Sequence, residues 1–306
     1  MSFRSKWWLM VGAWSLVSAP PAAGRTTIAH HPRPIPRSPF RVCADPNNLP
    51  FSNAKQQGFE DALAQLIARD LGDTLEYYWW PQRRAWVRHT IGAGKCDVAI
   101  GVPTSFELLT TTRPYYRSTY VFVSRADRHY DLHSLDDPRL RTLRIGLHFI
   151  GTDYSNPPPA HALGARGIVR NVVGYSIYGN YSQPNPPARL IDAVAKNDVD
   201  VAIVWGPLGG YFAGHEPVPL AVTPIADATD RTGVVFEFPI SVGVRKGDTA
   251  LRDSIQAVLD RRQREIAQLL TRYGVITVGP SPSTAGHAVD ARREEARRRD
   301  ASRDFR

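Results

Sequence analysis

The residues able to do chemistry in this sequence are not grouped for catalysis. No Ser, His and Asp set shares a context that suggests a nucleophile with its base, and no His or Cys spacing matches a metal site. His30 and His31 sit in a Pro-rich run and read as a solvated pair. His148 and His161 bracket Gly151-Thr152, ahead of the helix start Pro157-Pro158-Pro159, where backbone amides can meet an anion. No phosphate-cradling glycine run accompanies them, and a histidine beside a turn is ordinarily structural. Aromatic, amide and turn residues are abundant instead. They are Asp45, Asn47, Phe51, Trp80, Gln82 and Arg83, then Pro103, Thr104, Tyr115 and Tyr116, then His148, Gly151, Thr152, Tyr175, Tyr178, Tyr181, Trp205 and Pro207. Such side chains line an apolar pocket or a protein docking surface, or they pack inside each lobe with polar tips satisfied. The chemistry they suit is binding, and no catalytic residue, cofactor or metal is expected.

The elements that must position these residues are short strands alternating with amphipathic helices from Phe40 onward, the pattern of an α/β protein with largely parallel sheets. Strands are expected at Arg41–Ala44, Leu75–Trp79 and Cys96–Gly101, with helices over Phe59–Leu71 and Arg83–Ala93. Tyr120–Val123 reads as a crossing strand into a second lobe. That lobe repeats the cycle, with strands at Leu143–Leu147, Val172–Ile177 and Val199–Trp205 and helices at Pro159–Ala165 and Ala188–Lys196. Phe238–Val244 then crosses back, and helices around Leu251–Leu259 and Gln263–Arg272 complete the first lobe. The candidate binding residues fall near strand ends, where open α/β sheets bind ligands.

Length and composition fit this plan. The chain of 306 residues, 42% hydrophobic, is long enough for two lobes with real cores. Its start is basic (Arg4, Lys6), then apolar from Trp7 to Val17, then small and Pro-rich, which is the layout of a signal peptide cleaved near Ala23. The apolar run is shorter than the roughly 20 residues a membrane span needs, and no later segment supplies one. The expected organisation is a signal peptide at 1–23, a flexible Pro/His-rich arm at 24–39, lobe 1 at 40–122, lobe 2 at 123–235, a return strand and lobe 1 completion at 236–279, and a disordered basic tail at 280–306. Net charge is +9, or +7 once Arg4 and Lys6 leave with the signal peptide, and Ala291–Arg306 carries seven arginines against four acids. A basic surface can attract an acidic protein or an anionic membrane, whereas nucleic acid is not an expected partner outside the cytoplasm. Cys43 and Cys96, an even pair in an exported chain, stand as either a disulfide or two thiols.

The element order, with Cys96-Asp97-Val98-Ala99-Ile100-Gly101, Arg113-Pro114-Tyr115-Tyr116 and Val244-Arg245-Lys246-Gly247-Asp248, resembles the type 2 periplasmic solute-binding proteins from about Phe40 to Gly279. Longer stretches resemble one branch, the MoxJ and XoxJ proteins encoded beside quinoprotein alcohol dehydrogenases of methanol oxidation. These are Arg41 to Ser52, Pro81-Gln82-Arg83-Arg84, Thr111 to Phe122 and Ala202 to Leu208. The resemblance implies two facing lobes with two crossing strands as hinge, and a periplasmic accessory of a dehydrogenase that uses pyrroloquinoline quinone (PQQ) rather than a subunit that holds the quinone.

Amino-acid binders of that superfamily clamp the ligand carboxylate with an arginine after an acidic residue in lobe 1, a guanidinium fork matching two oxygens. Here Leu108 follows Glu107. They hold the ammonium with an aspartate at the end of the strand that begins at Asp200, where this sequence has Trp205. A buried zwitterion with unpaired charges loses several kcal/mol, so negligible binding of ordinary amino acids is expected, and micromolar affinity in calorimetry would overturn this. The resemblance also makes the Cys43 and Cys96 strands neighbours. Three functions follow: a dehydrogenase accessory that aids maturation or activation, a transporter component for a small non-amino-acid solute, and an enzyme like the dehydratases of this architecture, with Glu107 as the one nearby carboxylate.

Overall fold

The computed structural model describes residues 39–149, 156–177 and 182–279. The expected signal peptide, the arm up to residue 38, the basic tail, Gly151, Thr152, Tyr178 and Tyr181 lie outside the described residues.

The chain opens with β1 (Pro39–Ala44), a small hairpin of β2 (Asn47–Asn48) and β3 (Ser52–Asn53), and α1 (Phe59–Leu71). Phe59, Leu63, Leu66 and Ile67 face inward along α1 and are almost fully buried, the apolar stripe their spacing predicts. The Asp61 carboxylate accepts from the Gly58 N–H at the helix cap and from the Asn53 N–H of β3, tying the hairpin to the helix start, and Gly72 ends the helix at φ +77°. β4 (Thr74–Trp79) follows. The helix expected over Arg83–Ala93 is reduced to one turn, α2 (Trp86–His89). Ala85 enters it left-handed, the Thr90 hydroxyl donates to the Trp86 carbonyl, and Gly94 turns the chain at φ +70°.

Next come β5 (Val98–Pro103), β6 (Thr110–Thr111), β7 (Tyr116–Arg125), β8 (Ile145–His148), α3 (Pro158–Ala165), β9 (Val172–Tyr175), α4 (Arg189–Ala195) and β10 (Val201–Trp205). Two elements then appear that sequence reading did not anticipate, α5 (Gly206–Ala213) and β11 (Leu220–Pro224). Gly206, Gly209 and Gly210 make α5 a poor helix by propensity. Tertiary packing overrides this: a Cβ on Gly209 would sit 2.7 Å from Val121 Cγ2, so the missing side chains let the helix lie on β7. β12 (Glu237–Val244), α6 (Thr249–Arg261) and α7 (Gln263–Arg272) finish the described chain.

The strands pair in the order β4-β1-β5-β12-β7-β10-β8-β9, with β6 on β12 and β11 on β7. Pairings β4–β1–β5 in one half and β10–β8–β9 in the other are parallel, as buried α/β sheets require. β7 runs through both halves, and β12, which follows Phe236 of the lobe 2 core, pairs on the lobe 1 side. Tyr116–Thr119 pair with β12, while Tyr120–Arg125 pair with β10 or β11 on the other side, so these two strands are the crossings between lobes. Lobe 1 buries α1, α6 and α7 against its sheet, and lobe 2 buries apolar residues on both sheet faces.

Each lobe has its own fastener. In lobe 1, Cys43 and Cys96 are joined with Cα atoms 5.5 Å apart, among Val87, Ile91, Ala99, Val102 and Leu109. In lobe 2, Arg166 donates to Asp230 at 2.6 Å and to Asp136 at 2.9 Å, and the Arg166 and Asp230 side chains are 3% and 4% exposed. Burial alone would raise the Asp230 carboxyl, but hydrogen bonds from Thr232, Arg166 and Val234 outweigh it and hold the group down at about 2.

After α7 the chain returns to the crossing region. The Val278 N–H donates to the Arg117 carbonyl, the Ser118 hydroxyl donates to the Ile276 carbonyl, and Ile276 packs in the lobe 2 core. Gly274 meets Gly210 of α5 so closely that a Cβ on Gly210 would lie 2.0 Å from the Gly274 oxygen.

Candidate functional site

The ends of β5, β10 and the two crossing strands face a crevice between the lobes, and two adjoining cavities fill it. One, of about 380 Å³, is lined mainly from lobe 1 by Asn48, Phe51, Glu60, Gln82, Trp86, Phe106 and Tyr116. The other, of about 300 Å³, is lined by Tyr120, His148, Pro157, Ile177, Leu208 and Phe238 among others. Gly101, Pro103, Trp205 and Ile240 line both and make them one site. A larger recess of about 860 Å³ lies behind Tyr116, between Arg113–Arg117 and α6–α7.

Of the residues picked from sequence, Phe51, Gln82, Pro103, Tyr116, His148 and Trp205 line the crevice. Trp205 closes β10 with its ring 5.4 Å from Tyr120 and 5.9 Å from Phe238, so the two crossing strands hold it. Phe51 leans on Phe59 at 5.5 Å. His148 is desolvated, which lowers its pKa to about 4 and leaves the imidazole neutral at pH 7.

Other candidates position the site or lie elsewhere. Asp45 is buried, and its carboxylate accepts from the Asn47 N–H at 2.9 Å and the Gln82 N–H at 2.8 Å, fixing the hairpin and presenting Gln82. Asn47 bridges the lobes: its Nδ2 donates to the Gln183 carbonyl at 2.8 Å and its Oδ1 accepts from the Asn185 N–H at 3.3 Å. Beside it Leu49 is buried in the lobe 2 core. Trp80 lines neither cavity and stacks on Tyr78 and His89. Arg83 lines neither. Thr104 shares a 2.6 Å hydroxyl hydrogen bond with Ser241 away from both cavities, Tyr115 turns into the recess behind Tyr116, and Pro207 is buried in the first turn of α5.

Glu107 does not lie where an enzymatic role would need it. Glu107 is exposed and lines neither cavity, its carbonyl accepting from Lys246 Nζ, so the one carboxylate offered for catalysis is outside the crevice. Leu108, 58% exposed, is likewise not an apolar wall of the site. Trp205 is one. Among the described lining residues there is no Arg or Lys, so no guanidinium meets a ligand carboxylate.

Glu60 is the residue that sequence reading missed. An acid in the first turn of a helix is ordinarily a solvated partner of the helix dipole, so nothing in Gly58-Phe59-Glu60-Asp61 marks it. In the fold it is 7% exposed and lies against Gly101, where an added Cβ would come 1.9 Å from Glu60 Oε1. Burial, then the neighbouring Asp61, push the Glu60 carboxyl well above the usual range. Asp61, raised by burial but tempered by the Gly58 and Asn53 N–H groups, sits at about 6. Phe238 and Tyr120 were read only as strand residues, although their places on the crossing strands put them in the crevice.

Two lobes joined by paired crossings, with a crevice at the strand ends, define a solute-binding architecture. A match to the family model for bacterial extracellular solute-binding proteins, family 3, spans residues 40–275, and the chain belongs to that family. It is similar to protein MoxJ of Methylorubrum extorquens, 31% identical over 249 residues that cover 77% of this chain and 80% of the relative. The crystal structure of the periplasmic binding protein XoxJ from Methylobacterium extorquens AM1 matches with TM-score 0.64 and 34% identity, covering 78% of this chain and 99% of that one. That of MxaJ from Methlophaga aminisulfidivorans MPT matches with TM-score 0.68 and 25% identity, covering 78% and 100%. The fold is the two-lobed type 2 periplasmic binding protein fold, in its MoxJ/XoxJ-like form.

Proposed function

We propose that this protein is a periplasmic accessory of a PQQ-dependent methanol or alcohol dehydrogenase, aiding its maturation or activation by binding and not by catalysis. The observation that carries this reading is the crevice itself. Its walls are mostly aromatic and aliphatic, it lacks a guanidinium among the described residues, and it therefore suits a partner segment or an uncommon solute better than an amino acid. Similarity to MoxJ, XoxJ and MxaJ supports the same assignment. The working molecule comprises lobe 1 (40–122 and 236–279) and lobe 2 (123–235), exported by a signal peptide cleaved near residue 23, with an arm at 24–39 and a basic tail at 280–306. Among the described residues no helix is long and apolar enough to cross a membrane.

Affinity capture from periplasm of methanol-grown cells, with and without lanthanide, tests this. A quinoprotein dehydrogenase retained on the tagged protein is the expected result, and a membrane permease retained in its place would overturn it. Delivery of a small non-amino-acid solute to such a permease is the second reading, favoured by one observation: among the described lining residues Glu60 is the one acidic side chain, suited to a small polar ligand.

A further inference from the structure

From the surroundings of Glu60 we infer that the lobe 1 end of the crevice is a receptor for a cationic head group, an ammonium or guanidinium whose carrier has no carboxylate. The inference rests on the crevice being a binding site and not on which partner it serves.

Glu60 is nine-tenths buried and lines the cavity, and among the described residues no hydrogen bond or ion pair reaches its carboxyl. A second acceptor lines the same cavity: Asn48 is 4% exposed, and its buried Oδ1 has no partner. Two idle acceptors in a desolvated wall are costly unless something donates to them. Ammonium and guanidinium carry donors only, so either suits acceptors of this kind. The walls around them are the rings of Phe51, Trp86, Tyr116 and Trp205, whose faces attract a cation. Gly101 keeps the approach to Glu60 open, since any side chain there would occupy the position of its carboxyl. With no Arg or Lys among the described lining residues, nothing matches a carboxylate on the same ligand, and this separates simple amines from amino acids.

The groups that face Glu60 are Asp61 on its own helix, Tyr77 from β4, and Tyr115 and Tyr116 at the start of β7. Burial keeps all three phenols neutral, so none supplies a charge. The empty site therefore favours protonated Glu60, and an arriving cation favours the carboxylate. Binding releases a proton to solvent, and affinity rises with pH.

The signal-cleaved full chain is titrated calorimetrically with n-butylammonium, N-butylguanidinium, a blocked Gly-Lys-Gly peptide, L-lysine and n-butanol, in two buffers of different ionisation enthalpy. At least one cation without a free carboxylate is expected to bind roughly tenfold or more tightly than both lysine and butanol. Its heat should depend on buffer, and its affinity should rise with pH. Binding of the small amines marks a free solute, while binding of the peptide alone marks a lysine side chain of a protein partner. Glu60→Gln, which mimics the protonated acid and should fold, is expected to cost roughly tenfold in affinity and to abolish the buffer dependence. Failure of all three carboxylate-free cations to bind, or equal binding by Glu60→Gln, overturns the inference. Capture of the dehydrogenase is scored separately, so the accessory assignment survives or fails on its own evidence.

Discussion

The two lobes share one sheet plan yet solve two problems in opposite ways. Lobe 1 secures its core with a covalent bond, Cys43–Cys96, and leaves a lone carboxyl, Glu60, at its end of the crevice. Lobe 2 secures itself with a buried ion pair, Arg166–Asp230, and among the described residues gives the crevice apolar and aromatic walls and the neutral His148. An ion pair is thus spent on structure in one lobe, while an acidic side chain faces the ligand space in the other. The difference teaches that burial of a charged group does not by itself mark a site; the presence or absence of protein partners does.

That contrast breaks first at the disulfide. Replacing both cysteines by alanine opens a link spanning 53 residues, and the chain-entropy model gives a loss of about 4 kcal/mol. Urea unfolding should show the loss in probes near Trp86, with lobe 2 fluorescence following only as far as the lobes are coupled. Next comes the ion pair. Arg166→Met strands Asp230 in the interior and is expected to cost about 3 kcal/mol.

Acid sharpens the same point. Because folding lowers the Asp230 pKa to about 2, below its unfolded value near 3.9, its contribution is present above about pH 4 and fades as pH falls toward 2. Arg166→Met should flatten the stability curve in that window, and an unchanged curve would refute the assignment. His148 acts at higher pH. Its pKa of about 4 lies below the unfolded value near 6.5, so stability should decline as pH drops from about 6.5 to 4. His148→Gln should remove that slope. The smallest effect belongs to Asn47→Ala, which deletes the hydrogen bonds to Gln183 and Asn185 and should cost about 1 kcal/mol. Small-angle scattering should show the lobes moving apart, whereas an unchanged profile would mean that the buried Leu49 alone holds this rim.

Much of this molecule was legible from residue order. The stripe Phe59, Leu63, Leu66 and Ile67 yields α1, the apolar runs before Gly101 and through Trp205 yield β5 and β10, and the strand cycle that restarts at Leu143 marks Tyr120–Val123 as a crossing, with Phe238–Val244 as the return. Local pattern failed where long-range contacts decide. α2 shrinks to a turn through a left-handed residue at Ala85, and α5 exists because a glycine-rich face fits β7. The crevice was half legible. Aromatic residues at strand ends were found by type and place, but Glu60 was hidden because a solvated helix-start acid and a buried one are identical in sequence. Only the opposing Gly101, forty-one positions later, distinguishes them.

The meeting of Gly210 and Gly274 bears on how far the jaws can travel. The chain's last described stretch is stitched to β7 while its Ile276 is lodged in the far lobe, so any wide swing must slide one peptide plane across the other with no side chain as a cushion. A methyl group on Gly210 would act as a wedge and force the ribbon off α5. Opening of the crevice would therefore have to break this close seam between the end of the described chain and α5.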